Sequence, residues 1–150
     1  MDHENNNTKY SLLYKHNVFI VWKPEYNLGI PIIDEHHRGI VSTINSLHFS
    51  MQNKQVRDIF TSISDMIFDY TKIHFRTEES FHSMVDFSGA KDHHELHEHL
   101  ISELSKLGRH GNVNKNPDEF LSFLKNWWIG HICFEDLKFR DYLIVRDLIQ

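Results

Sequence analysis

The chain has 150 residues, the length of one domain with a substantial hydrophobic core. Its formal charge of −5 and its isoelectric point near 6.2 exclude a broad basic surface and argue against nucleic acid as a partner. No apolar run is long enough to span a bilayer, and no apolar signal segment is visible. Cys133 is the only cysteine and has no partner for an internal disulfide. We therefore expect a cytoplasmic protein.

Histidine is the residue type in excess. The chain holds 13 histidines, and most of them fall in tight groups. Imidazole is the commonest metal-binding side chain in proteins, but a solvated histidine-rich surface would give the same composition. The positions of the histidines on the predicted elements must therefore distinguish the two interpretations.

The first 31 residues are predicted to form an extended N-terminal arm. Pro24, Gly29 and Pro31 interrupt any regular element there. Trp22 and Tyr26 are large aromatic residues that could anchor such an arm across the rest of the protein. We therefore expect residues 1–31 to be non-helical.

Four amphipathic helices are predicted within residues 32–137. In each of them, apolar residues recur at steps of three and four, the spacing of one helix face. The predicted spans are about 34–51, 55–84, 90–108 and 117–136. Residues 138–150 form a tail or a further short helix. Short connections place neighbouring helices antiparallel, so the predicted fold is all-α, an up-down-up-down four-helix bundle.

Two of the predicted helix starts carry capping residues. Asp34 is a predicted N-cap of the first helix. Asn116 precedes Pro117 at the first helical position of the fourth helix, and Glu119 stands where a capping box requires an acidic residue.

Pairs of metal-binding residue types lie on the apolar faces of these helices. His74 and Glu78 are four residues apart, and so are His93 and His97. At about 100° per residue, a step of four leaves two side chains about 40° apart and one turn along the helix. Both members of each pair can therefore reach one point inside the bundle, and His37 adds a donor from the first helix. Because an unpaired buried polar group costs about 1–3 kcal/mol, a metal ion is the natural partner of such a set.

His131 in the fourth helix has two possible acidic neighbours. Glu135, four residues on, fits the helix period. Asp136, five residues on, lies about 140° away on an ideal helix and would need a helix end or a local distortion to point the same way. Periodicity alone leaves the choice between them open.

Together, these motifs resemble those of the hemerythrin family, including the bacterial hemerythrins. The resemblance covers about residues 20–137, and each motif by itself is weak. It runs through GIPIIDEHH at 29–37, HFRTEE at 74–79, HxxxHE at 93–98 and WxxxHIxxED at 127–136. It selects His37 over His36, His93 and His97 over His94 and His99, and Asp136 over Glu135.

The resemblance implies a bridged di-iron centre. One iron would bind His93, His97 and His131, the other would bind His37 and His74, and Glu78 and Asp136 would bridge both. If two octahedral irons also share an oxo or hydroxo bridge, every position is filled except one, on the iron with two histidines. The resemblance thus implies reversible O₂ binding at that position, for transport, storage or delivery, and not an enzyme.

Large apolar side chains are predicted around the O₂ position. They are Val41, Phe75, Trp127 and Trp128. Aromatic residues at helical spacing also serve simply as core. Trp128 departs from the aliphatic residue, often leucine, that the family carries three residues before this histidine, and its indole is expected to slow O₂ access.

The same set of predicted ligands is compatible with other functions. Ferritin-like di-iron proteins use four glutamates and two histidines, and a site richer in histidine is less suited to high-valent iron, which favours O₂ binding over substrate oxidation. The alternatives are an enzyme for nitric oxide or peroxide, iron donation for repair, and an O₂ or redox sensor with a protein partner. Zinc or manganese could also occupy such a ligand set.

The remaining histidines are expected to be exposed or to flank the ligands, namely His36, His48, His82, His94, His99 and His110.

Overall fold

The computed structural model describes residues 18–52 and 59–150, and this part of the chain is helical without strands. The long helices are α1 (Pro31–Gln52), α2 (Phe60–Met84), α3 (Ala90–Gly108), α4 (Pro117–Gly130) and α5 (Asp136–Val145). Short 3-10 segments lie at Pro24–Tyr26 and Arg109–Asn114, and a π-helical turn, His131–Glu135, joins α4 to α5. The predicted all-α class is confirmed.

Two apolar clusters show how the helices run. At one end of the bundle, Ile33 near the start of α1 packs with Phe139 of α5 and with Val85 just after α2. In the main cluster, Leu104 near the end of α3 packs with Phe120 near the start of α4. Helix α1 contacts α2 and α4, and α3 contacts the same two helices. The helices therefore form the predicted antiparallel four-helix bundle.

The start of α1 differs from the prediction. The helix begins at Pro31, and Asp34 lies inside its first turn. The Asp34 carboxylate accepts hydrogen bonds from the backbone N–H of Leu28 at 2.6 Å and of Gly29 at 3.1 Å. The prediction that Asp34 is the N-cap is wrong, because its side chain ties the preceding segment back onto the helix. Gly29 has φ +100°, a conformation that favours glycine.

The start of α4 is capped as predicted. The Asn116 side chain accepts a hydrogen bond from the backbone N–H of Glu119 at 3.3 Å, and Pro117 occupies the first helical position. The Glu119 carboxylate accepts a hydrogen bond from the Asn116 amide at 2.8 Å. In a full capping box the Glu119 carboxylate would accept from the backbone N–H of Asn116, but here it accepts from the Asn116 side chain.

The last helical run is longer than the predicted fourth helix. It continues from α4 through the π-helical turn into α5, so that residues 138–150, predicted as a tail or short helix, are helical as far as Val145. The predicted start of the second helix, near Gln55, lies outside the described residues. None of the described helices combines the length and the apolar character needed to cross a membrane.

The described part of the predicted arm, residues 18–30, lies along the bundle. The expectation that the arm is non-helical is wrong at the 3-10 turn Pro24–Tyr26 and at Pro31, which begins α1. Trp22 and Tyr26 are half-buried against the main core. Asn45 of α1 pairs with the backbone of Ile20 in both directions, as acceptor at 2.8 Å and as donor at 2.9 Å. These contacts place Trp22 over the region of α1 that carries His37. The ring centroids of Trp22 and His37 are 6.2 Å apart. Residues 1–17 of the predicted arm lie outside the described part of the chain.

Candidate metal centre

Seven polar side chains converge in the middle of the bundle. Each of them is at most 5% exposed. They are His37 from α1, His74 and Glu78 from α2, His93 and His97 from α3, His131 from the π-helical turn and Asp136 from α5. The structure thus brings together all seven residues predicted as metal ligands.

The π-helical turn determines which acidic residue follows His131 into the interior. The backbone N–H of Asp136 bonds to the carbonyl of His131, five residues earlier. Such a turn inserts one residue into the helical repeat, so positions five apart fall on one face. Asp136 is buried, whereas Glu135 is directed outward and binds Lys138 Nζ at 2.7 Å. The geometry resolves the choice that periodicity leaves open.

The seven side chains form two groups that could each hold one metal ion. One group is Glu78, His93, His97 and His131, and the other is His37, His74 and Asp136. Within each group, the candidate ligand atoms lie within 4.8 Å of one another. The Nε2 atoms of His97 and His131 are 3.2 Å apart, and so are those of His37 and His74. Imidazole nitrogens about 2.1 Å from one ion and at right angles to each other lie about 3 Å apart, so both pairs fit a shared ion.

Asp136 lies between the two groups. Its Oδ2 is 3.0 Å from His37 Nε2, and its Oδ1 is 3.0 Å from His131 Nε2. Each carboxylate oxygen therefore faces a different group. Glu78 Oε2 lies 3.2 Å from His97 Nε2 and 3.4 Å from His93 Nε2. The Asp136 arrangement suits a carboxylate that bridges two ions, whereas both of these Glu78 contacts lie within the group with three histidines.

The carboxylates remain ionised despite burial. Burial and the neighbouring Asp136 raise the pKa of Glu78, but the nitrogens of His93 and His97 outweigh both and lower it. For Asp136, burial also raises the pKa, and His131, His37 and His93 lower it well below its usual range. Burial lowers the pKa of His93, but Asp136 and Glu78 raise it to about 10. A metal ion that binds His93 must therefore compete with a proton that the two carboxylates favour there.

The chemistry of these donors fits a metal. None of the four carboxylate oxygens of Glu78 and Asp136 makes a hydrogen bond of acceptable geometry, and neither does His93 Nε2. Leaving ionised groups buried without such partners is costly. Buried carboxylate oxygens that lie about 3 Å from imidazole nitrogens without a hydrogen bond of acceptable geometry are placed as metal ligands would be.

A family comparison agrees with this geometry. The family model "Hemerythrin HHE cation binding domain" matches residues 28–143, most of the chain. The chain belongs to the hemerythrin family. It is 31% identical to a bacteriohemerythrin from Pseudomonas aeruginosa over 123 residues, which cover 81% of this chain and 80% of that protein. A bacteriohemerythrin from Stenotrophomonas maltophilia is 28% identical with the same coverage. A hemerythrin-like protein from Naegleria gruberi is 25% identical over 81% of this chain and 92% of its own length.

In this hemerythrin, Glu79 supports one of the candidate ligands. Its Oε1 lies 2.8 Å from His97 Nδ1 and 3.0 Å from Nδ1 of the exposed His94. A carboxylate on the far nitrogen of a metal-binding histidine fixes the ring and raises its basicity. Burial raises the pKa of Glu79, but the His94 and His97 contacts outweigh it and lower the pKa. The helix period gives Glu79 no role, because one step from Glu78 turns it about 100° away from the ligand face.

The two groups of candidate ligands have different aromatic neighbours. Phe75 stacks on the His97 ring with centroids 3.6 Å apart and planes 6° apart. The Trp128 ring lies 5.7 Å from His74 and 6.1 Å from His37. The Trp127 ring lies 6.4 Å from His131. Trp128 therefore contacts both histidines of the two-histidine group and also approaches His131 at 6.3 Å, whereas the Trp127 ring approaches the group with three histidines.

Val41 completes the set of predicted apolar neighbours. It is buried and lines a small cavity together with Trp128 of α4 and Trp22 and Tyr26 of the arm. This cavity lies on the side of the bundle where Trp22 and Trp128 both approach His37.

Of the remaining histidines, His82 has the most unusual surroundings. It is only 1% exposed, and neither of its ring nitrogens has a hydrogen-bond partner. It lies four residues after Glu78 and eight after His74, so the helix period alone places it on the ligand face. His36 and His48 are half-buried, and His94, His99 and His110 are exposed.

Proposed function

We propose that this hemerythrin binds O₂ reversibly at a non-haem di-iron centre, as a carrier, store or delivery protein. The observation that supports this proposal most directly is the division of the cluster into unequal groups. Three histidines accompany Glu78, whereas only His37 and His74 accompany Asp136. If both carboxylates bridge, the ion in the second group has one protein ligand fewer, and it offers a position for a small external ligand.

The proposed ligand roles follow from the distances. His93, His97 and His131 would hold one iron, and His37 and His74 would hold the other. Asp136, with one oxygen facing each group, would bridge them together with Glu78. When bound there, two ferrous ions would supply the electrons that O₂ takes up.

The surrounding residues control access to the site. Trp128 is fully buried beside the group with two histidines, and Phe75 covers the face of His97. With Val41 and Trp127, they keep water from the ligands. A dry apolar surrounding limits the protonation and loss of a bound oxygen species, which favours reversible binding.

The donor set favours an O₂ carrier over an oxidase. Five imidazoles and two carboxylates are less anionic than the four glutamates and two histidines of ferritin-like oxidases, so they stabilise high-valent iron less. The proposed metal is iron, as the family resemblance implies. A protein partner and a cytoplasmic location remain predictions from sequence.

One experiment tests the proposal. The metal-free protein is loaded anaerobically with Fe²⁺, its metal content is measured, and visible spectra are recorded over several cycles of air and argon. We expect two irons per chain and a colour that appears and disappears with O₂. Irreversible conversion to the ferric form in the first cycle would contradict the proposal and favour a sensor, or an enzyme acting on nitric oxide or peroxide. A His37→Ala variant is the matched control and should lose the reversible spectrum.

A further inference from the structure

His82 is a buried histidine outside the seven proposed ligands. Its Nε2 lies 4.0 Å from Glu78 Oε1, and its ring contacts the rings of Phe87 and Phe139 at 4.9 and 4.4 Å. Neither ring nitrogen makes a hydrogen bond. Both ring nitrogens are therefore uncommitted among the described residues, and the ring also contacts that of His93 at 4.9 Å. A neutral imidazole with a free lone pair is a metal ligand.

The His82 side chain also lines an open cleft at the surface. The cleft has a volume of about 270 Å³ and lies between α2 and α3. Glu79 and His94 line it as well, and their side chains meet at 3.0 Å. The His94 side chain is 53% exposed, so this pair faces solvent. Metal-binding side chains thus run from the surface through His82 to Glu78.

The other sides of the metal centre are more closed. Phe75 covers His97, and Trp128 covers the His37 and His74 side. A hydrated cation crosses such apolar contacts poorly, because it must lose its water ligands without gaining others. In the cleft it would exchange water for carboxylate and imidazole ligands in steps.

We propose that this cleft is the loading route by which a divalent cation reaches the metal centre. Glu79 and His94 bind the ion first, and His82 passes it to Glu78. The ion is Fe²⁺ if the proposed function is right, and the inference rests on the proposed metal centre but not on O₂ binding. Loading involves only ligand exchange and no redox step. His82 is a transit ligand, and it is absent from the final ligand set.

The test follows metal uptake by the metal-free full-length protein, with Co²⁺ alone as the probe. Co²⁺ is mixed with the protein in a stopped-flow instrument, and the visible absorption of the bound ion gives the rate. In His82→Leu we expect uptake at least about tenfold slower, because one ligand is lost from the route. The final content should stay at two ions per chain. His94→Ala should slow uptake by a smaller factor.

Two controls separate the route from general effects. His99→Ala removes another exposed histidine from the same helix, α3, and should leave the rate unchanged. Circular dichroism melting checks that each variant is folded. If His82→Leu does not fold, His94→Ala carries the test, because its side chain is on the surface.

Each other outcome has a defined meaning. Uptake at the wild-type rate in both His82→Leu and His94→Ala would overturn the route and leave His82 as a core residue packed between Phe87 and Phe139. A folded His82→Leu that binds fewer than two ions would also overturn it, because His82 would then be a resident ligand. If the cleft variants slow uptake but the iron-loaded wild type does not bind O₂ reversibly, the proposed function fails and the route stands.

Discussion

His131 Nε2 and Asp136 Oδ1 lie 3.0 Å apart, although the two residues are five positions apart in one continuous helical run. The π-helical turn between them makes this possible, because it adds one residue to the turn. The extra residue moves Glu135 to the surface and Asp136 to the interior. A local departure from the α-helix therefore brings Asp136, and not Glu135, into the candidate metal centre.

Replacing Asp136 tests this selection. Asp136→Asn keeps the shape but removes the charge that faces both metal groups, so we expect less than two metal ions per chain after loading and dialysis. Glu135→Gln is the matched control, since Glu135 contacts only Lys138 among the ion pairs of the described residues, and it should keep full metal content. Metal analysis of both purified variants checks the prediction. Equal metal loss in both variants would contradict the assignment.

The Glu79 contact with His97 predicts an effect on affinity. Glu79→Gln replaces the carboxylate that faces His97 Nδ1 with a weaker hydrogen-bond acceptor. The His97 ring is then held less firmly, and its other nitrogen is a weaker metal ligand. Loss of such partners typically reduces metal affinity about 10–100-fold, and we expect a change in that range in a competition titration with a chelator. Glu98→Gln, at an exposed position of α3, is the control and should bind like the wild type. An unchanged affinity in Glu79→Gln would show that the contact has no role in binding.

Trp128 predicts a kinetic effect on the proposed O₂ binding. Its indole lies beside His37 and His74, and it is larger than the aliphatic residue common in the family. Trp128→Leu should therefore raise the association rate of O₂, measured by stopped flow on the ferrous protein. Trp127→Leu removes the neighbouring indole on the His131 side and should raise it less. An association rate in Trp128→Leu that is unchanged or lower would refute the prediction.

The sequence predicted those features that regular helix geometry determines. The step of four placed His74 with Glu78 and His93 with His97, and Asn116 with Pro117 located the start of α4. Prediction from the sequence failed where the local structure departs from regular helix geometry. Nothing in the periodicity indicates a π-helical turn after His131, so Asp136 was selected there by resemblance and not by spacing.

Side-chain contacts outside the residue's own helix were the other source of error. Asp34 has the composition of an N-cap, but its partners are Leu28 and Gly29 of the preceding segment, and Pro31 already begins the helix. The role of Glu79 depends on where α3 presents His97, which a single sequence does not show. Residues of this kind are identified by their partners and not by their own pattern.

His82 predicts how the stability of the metal-free protein depends on pH. Its pKa is about 4 in the folded protein and about 6.5 when unfolded, so the unfolded chain binds one more proton between these values. This contribution to the free energy of unfolding is complete above pH 6.5 and is lost as the pH falls towards 4. The loss amounts to at most about 3 kcal/mol. His82→Leu cannot bind that proton, so its urea-unfolding free energy should fall less steeply over this range. Parallel pH profiles for the two proteins would contradict the prediction.

Two glycines predict opposite effects of the same substitution. A Cβ at Gly108 would lie 2.4 Å from the ring of the fully buried Phe120. Gly108→Ala should therefore destabilise the fold by about 1–3 kcal/mol, the usual cost of overpacking. A Cβ at Gly130 would meet nothing within 4 Å, and Gly130 has helical backbone angles. Gly130→Ala should stabilise by about 0.5–1 kcal/mol, because alanine loses less backbone entropy in a helix. Urea unfolding of the metal-free proteins measures both changes, and a stabilising Gly108→Ala would show that the Phe120 ring can move away.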